Sequence, residues 1–191
     1  MKARALAAAA GIAAAVLLAG CAPTVSLHPA PPHANDPHCA DLMVHLRDTL
    51  DSQSGALVHR ETDAQSTAAW GDPTSVILSC GVRVPGPSSL PCVQDTGGVY
   101  WLRQKDAKAK VWTFTTFGRD PAVQLTISTT LSPGVVLDQL GTRIAASLPK
   151  DGHVCTSTED TVTGSDAPGA PTPDAPAPDA PAPTPSPTPA G

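Results

Sequence analysis

Five cysteines, the Asp-Pro pairs at 72–73 and 120–121, the evenly spaced His28, His33 and His38, and the arginines Arg60, Arg83 and Arg119 are the residues here whose types and positions could do chemistry. Cys21 closes the run Leu18-Ala19-Gly20-Cys21. Cleavage between Gly20 and Cys21 would leave a thiol at the new N-terminus. Such a thiol can take a diacylglycerol thioether, and the small residues before it give a peptidase access to the backbone. The other four cysteines, Cys39, Cys80, Cys92 and Cys155, include no Cys-x-x-Cys pair. Their even number in an exported chain predicts two disulfides rather than a redox-active dithiol or a zinc site. Four cysteines allow three pairings. The expected one is Cys80–Cys92, closing the proline-containing loop between them, with Cys39–Cys155 tying the start of the domain to its end.

Asp72 and Asp120 each precede a proline, in Gly-Asp-Pro and Gly-Arg-Asp-Pro. Two loop carboxylates could serve as an acid/base pair, but Asp-Pro more commonly initiates a turn with the carboxylate accepting backbone N–H groups. Arg60, Arg83 and Arg119 could converge on an anionic headgroup or a wall phosphate; the plainer expectation is that each pairs with a nearby acid. His28, His33 and His38 recur every five residues, yet a proline-rich segment does not converge three imidazoles and no metal-ligand spacing is present. No metal and no cofactor are therefore expected. His45 and His59 have no nucleophile at a recognisable spacing, and nucleophile-elbow, P-loop and dinucleotide patterns are absent. No catalytic residue is assigned. Trp70, Asp72, Arg83, Trp101 and Arg119 remain as candidate binding residues, the tryptophans reading most simply as core.

The flanks set where such residues work. Lys2 and Arg4 precede an uncharged run from Ala5 to Leu18, which has the length of a signal-peptide core and falls short of the ~20 residues of a membrane-spanning helix. With the Cys21 motif this predicts a lipoprotein signal over 1–20, a lipidated Cys21 and a proline-rich tether over 21–37. The expected location is extracytoplasmic, on the outer face of the cell membrane. Residues 38–155 hold seven prolines in 118 residues and form one expected domain. Residues 156–191 carry five acids and no bases, repeat Asp-Ala-Pro-Ala-Pro, and predict a disordered tail. Residues 21–155 hold 12 acidic and 10 basic side chains, which gives no ground for a nucleic-acid partner.

Asp36-Pro37 reads as N-cap and first residue of a helix in which Leu42, Met43, Leu46 and Leu50 share a face up to Gly55. Ser132-Pro133 opens a second, with Val136, Leu137, Leu140, Ile144 and Leu148 on one side. Between them, 74–82, 98–104, 110–117 and 122–128 are strand-like, and 56–61 could add a fifth strand. Residues 106–109 suit a hairpin loop, and Gly118-Arg119-Asp120-Pro121 a tight turn. The expected fold is α+β: a mainly antiparallel sheet of four to five strands with two helices on one face, disulfide-bonded and flanked by disordered Pro/Ala-rich ends.

Residues 68–82 (AAWGDPTSVILSCGV) and 116–128 (TFGRDPAVQLTIS), with Cys92, Trp101 and the lipobox, resemble the actinobacterial lipoprotein family known as domain of unknown function 3515. The resemblance covers about residues 38–155. It implies an envelope location and a small disulfide-bonded domain, and no activity. The function expected is that of a membrane-anchored, non-catalytic envelope lipoprotein binding a protein or cell-wall partner. A small-ligand-binding lipoprotein is the alternative, and an envelope enzyme is a more distant one.

Overall fold

The computed structural model describes residues 23–155. The expected signal peptide over 1–20, Cys21 and the expected tail over 156–191 lie outside the described residues. The described chain forms helix α1 (Pro37–Val44), strands β1 (Thr49–Leu50), β2 (Leu57–Arg60), β3 (Thr67–Trp70), β4 (Val76–Val82), β5 (Cys92–Gln94), β6 (Tyr100–Asp106), β7 (Val111–Phe117) and β8 (Ala122–Ser128), then helix α2 (Pro133–Ser147). The strands make one antiparallel sheet of eight, in the order β1-β2-β3-β4-β8-β7-β6-β5. The α+β class and the antiparallel sheet agree with the sequence; the strand number is eight rather than four or five.

Cross-strand partners share a face of a sheet and neighbours along a strand alternate. One row of partners runs His59, Trp70, Val76, Ile127, Trp112, Lys105 across six strands. The next row inward on that face contains Leu78, Leu125 and Phe114. These residues meet Cys39 and Leu42 of α1 and Val136, Leu137, Leu140 and Ile144 of α2 in a single core. Both helices thus cover one face. The other face presents Ile77, Ser79, Gln124, Thr126, Thr113 and Thr115, all half-buried, as antiparallel sheets with one wet side do.

Both helix starts follow from their caps. Asp36 accepts the His38 N–H at 2.8 Å with Pro37 in the first turn, and Ser132-Pro133 opens α2. The first helix ends early, however. The His45 N–H turns back onto the Leu42 carbonyl, a tightened last turn, and the chain leaves the helix before Leu50. Leu50 still reaches the core, from β1 paired with β2. A helical period carried through to Gly55 is therefore a coincidence of two elements burying residues on the same side.

The cysteine pairing is corrected. Cys39 bonds Cys80 and Cys92 bonds Cys155, with Cα separations of 5.5 and 6.3 Å. Cys80 points to the helix-covered face of the central strand β4, where α1 lies. Cys92 opens the edge strand β5, four strands away. The short loop between Cys80 and Cys92 thus carries the chain across the sheet instead of folding back on itself. The helices nevertheless touch: His38 Nδ1 lies 3.1 Å from the Ser147 carbonyl oxygen.

The folded unit also begins before residue 38. The Val25 N–H bonds the Glu61 carbonyl, the Leu27 N–H bonds Asp63, Arg60 Nη2 donates to the Pro23 carbonyl at 3.0 Å, and Ala34 is buried. Farther on, His33 crosses the bulge in β4 at Gly81, its N–H donating to the Gly81 carbonyl at 2.9 Å. Gly81 has φ +85°, and a Cβ there would strike the His33 carbonyl. Only glycine satisfies both conditions.

Candidate functional site

The two Asp-Pro carboxylates lie at opposite ends of the sheet. Asp72 sits in the turn between β3 and β4, and Asp120 in the turn before β8. The length of β4 between those ends is about 20 Å at strand rise, so they form no acid/base pair. Asp72 is exposed and takes Arg60 Nη1 at 3.3 Å. Its carboxylate is used in an ion pair, and Ser75 rather than Asp72 completes the turn by donating to the Pro73 carbonyl.

The three arginines do not converge either. Arg60 holds Asp72, Thr74 and the Pro23 carbonyl at one end. Arg83 is exposed just after β4. Arg119 is only 4% exposed and donates through Nη1 to the carbonyls of Ala145 and Leu148 at the C-terminus of α2. A cation belongs there, because the last carbonyls of a helix are unpaired and carry partial negative charge. The histidines have separate partners: His28 faces Asp63 at 3.5 Å, His38 the Ser147 carbonyl, and His45 Asp41. Among the described residues no three His, Cys, Asp or Glu side chains gather as metal ligands.

The sequence gives no hint of the most chemically distinctive group, Asp95. It is 5% exposed, in the turn between β5 and β6. Its carboxylate accepts the Val99 N–H at 2.9 Å and the Trp101 indole N–H at 2.8 Å. Burial pushes the carboxyl above its ordinary range, against the pull of these two donors. Burial likewise lowers the Arg119 guanidinium, with Asp95 close enough to oppose that shift. Asp95 packs on Gly141 of α2 so closely that a Cβ would collide with it. Every buried side-chain N or O atom among the described residues is hydrogen-bonded. This cluster fastens the β5–β6 turn to α2.

Trp70 and Trp101 are fully buried in the core, and Trp70 donates its indole N–H to the Arg47 carbonyl. With Arg119 also buried, three of the five candidate binding residues are closed to a partner, because their polar atoms serve the fold. Asp72 and Arg83 stay at the surface, at opposite ends of β4.

The open features lie elsewhere. A groove of about 200 Å³ runs beside the Cys92–Cys155 disulfide, between Leu90, Leu102, Phe117 and Val154. Leu90 and Val154 are exposed apolar side chains. Phe117 meets His153 edge-on with ring centroids 5.9 Å apart. The alternation of β7 does place Phe117 on the face opposite Phe114, but the groove depends on where the chain returns after α2, which local pattern does not show. Two disulfides in one small domain point to folding in an oxidising, extracytoplasmic compartment. No helix among the described residues is long and apolar enough to cross a membrane.

No curated protein and no solved structure matches the chain. A family model does match residues 3–152, most of the sequence, and the chain belongs to that family, described as "Protein of unknown function (DUF3515)".

Proposed function

We propose that this protein is an exported, lipid-anchored protein of the bacterial cell envelope that acts by binding a protein or cell-wall partner and not by catalysis. The observation that carries the reading is the Leu-Ala-Gly-Cys motif at 18–21 set directly before a domain closed by two disulfides. A thiol at residue 21 has no disulfide partner among the other four cysteines, which are all paired. Acylation gives it a role.

Binding is favoured over small-ligand capture by size. Small-molecule pockets occupy about 300–1,000 Å³ and enclose most of their ligand, whereas the groove beside Cys92 and Cys155 is smaller, at about 200 Å³. Its exposed Leu90 and Val154 suit a partner's side chains better than an enclosed ligand. The buried carboxylate and guanidinium that an enzyme would expose are committed to holding α2.

Two measurements test this. Mass spectrometry of the mature protein should find acyl chains on an N-terminal Cys21, and Cys21→Ala should leave an unprocessed precursor. Crosslinking in intact cells should then recover a partner through the Leu90–Val154 groove, with capture lost in Leu90→Asp. A mature protein that begins elsewhere and fractionates as soluble would sink the anchoring part.

A further inference from the structure

We propose that the domain stands directly on its membrane, without a spacer, and that the β6–β7 hairpin carrying Lys105, Lys108 and Lys110 lies against anionic phospholipid headgroups. The inference rests on lipidation of Cys21, argued above, and adds an orientation and a lipid class. Pro23 is two residues from Cys21, and two residues reach at most about 7 Å. Its carbonyl is held by Arg60, which also holds Asp72 and Thr74 of the β3–β4 turn. Val25 then pairs in parallel with Thr62 as the chain moves away from that turn. The anchor therefore enters at the sheet end formed by the β3–β4 turn.

The hairpin belongs to the same end. Trp70 and Val76, which flank the β3–β4 turn, stand in the row that passes through Ile127 and Trp112 to Lys105. Beyond that row β6, β7 and β8 add one more rung, Asp106, Val111 and Ser128, before the β6–β7 turn, while β2 continues through Val58 and Leu57 beside β1. Four lysines follow Cys21 in the sequence; three occupy residues 105–110 and the fourth is Lys150. All three hairpin lysines are exposed, and among the described residues none is ion-paired. The one acid in the hairpin, Asp106, accepts the N–H groups of Lys108 and Ala109. Lys105 lies 4.8 Å over the Trp112 ring, which places an amphipathic aromatic beside the cationic surface, as at membrane interfaces. The last described residue, Cys155, is bonded at the opposite edge strand.

Lys150 makes an internal reference. It is exposed and pairs with Arg119 at the other end of the sheet. The experiment uses the mature full chain, its lipid verified by mass spectrometry. It is reconstituted into vesicles of phosphatidylcholine with 30% phosphatidylglycerol (about a third anionic lipid, enough for a surface potential), or into phosphatidylcholine alone. Lysine acetylation is then followed by peptide mass spectrometry. On anionic vesicles Lys105, Lys108 and Lys110 should react at least about fivefold more slowly than Lys150, the factor expected for a lysine held at a charged surface. The difference should shrink on phosphatidylcholine alone and at high salt. A chain with no lipid on Cys21 overturns the anchoring reading and this inference with it. A lipidated chain whose hairpin lysines react as fast as Lys150 overturns the orientation alone. Equal protection in detergent without lipid would assign the lysines to the acidic tail instead, and also overturns it.

Discussion

The Trp101 indole N–H points at Asp95 Oδ2 across 2.8 Å in the interior of the domain. The two residues join the β5–β6 turn to its own following strand, and Gly141 lets the pair sit against α2. The Trp101→Phe change keeps most of the apolar volume but leaves Oδ2 without its donor. An unsatisfied buried polar group costs about 1–3 kcal/mol, so urea unfolding at pH 7 should show a loss of that size. Near pH 4 the loss should be smaller, since a protonated carboxyl is cheaper to bury. An equal loss at both pH values would show that packing, not the hydrogen bond, is what the indole contributes.

The pH dependence of the wild type follows from the same group. Asp95 titrates higher in the native state than in the unfolded chain, because burial opposes its charge. The native state therefore holds the proton more tightly. The contribution of Asp95 is fully present below its ordinary value near ~3.9 and is lost as pH rises through the raised native pKa. Replacing Asp95 with Asn removes this downward component. A stability–pH curve above pH 4 that is unchanged in shape would contradict the assignment.

Peptide mapping of the oxidised protein should recover Cys39 with Cys80 and Cys92 with Cys155. The bridges span 41 and 63 residues, and on a loop-entropy model each contributes ~4 kcal/mol. Paired Ala substitutions at either bridge should lower the denaturation midpoint by similar amounts. Recovery of Cys80 with Cys92 would require β4 and β5 to be neighbours, and would overturn the strand order itself.

What the sequence disclosed, and what it hid, divides along local and non-local lines. The α2 boundaries, the starts of both helices and the strands β4, β6, β7 and β8 are legible because β-branched runs and Ser/Asp-Pro caps act within a few residues. Strand β3 is hidden. Its Thr-Ala-Ala-Trp is buried throughout, where small alanines fit, but alanine has little strand preference of its own. Strands β1 and β5 have two and three residues, too few to show a period. The cysteine pairing depends on strand order, so proximity in sequence pointed the wrong way. Asp95 carries no local signal because only the tertiary approach of α2 buries it. Trp70, Trp101 and Arg119 stood out by type, but the fold consumes the polar atoms that made them candidates.

Gly81 offers a sharp test of the N-terminal crossing. Alanine there must adopt φ +85° and meet the His33 carbonyl. A strained backbone position costs about 1–3 kcal/mol, and the collision adds to it. The thermal midpoint of Gly81→Ala should fall well below that of Gly55→Ala. Gly55 also has positive φ but faces open space, so the comparison cancels the backbone cost common to both. Equal midpoints would mean that residues 31–36 do not press on the bulge.

Asp63 decides whether residues 23–28 stay docked on the domain. Its carboxylate accepts the Leu27 N–H at 2.8 Å and faces His28 at 3.5 Å. The Leu27 amide, the Ser26 hydroxyl and then His28 hold its pKa below the usual carboxylate range. A lowered native pKa reverses the sign found for Asp95: the hold is present above the ordinary carboxylate value and is lost as pH falls through the lowered one. The Asp63→Ala change should therefore raise hydrogen exchange at the Leu27 amide at neutral pH, while amides of β4 and β8 keep their protection. Acidification of the wild type should produce the same local release before global unfolding. Arg60→Ala should loosen Pro23 in parallel through a different contact, and the two changes together should make the segment accessible to protease. If Leu27 exchanges equally fast in the wild type and in Asp63→Ala, the segment is not held by this carboxylate, and the short reach from anchor to sheet loses its support.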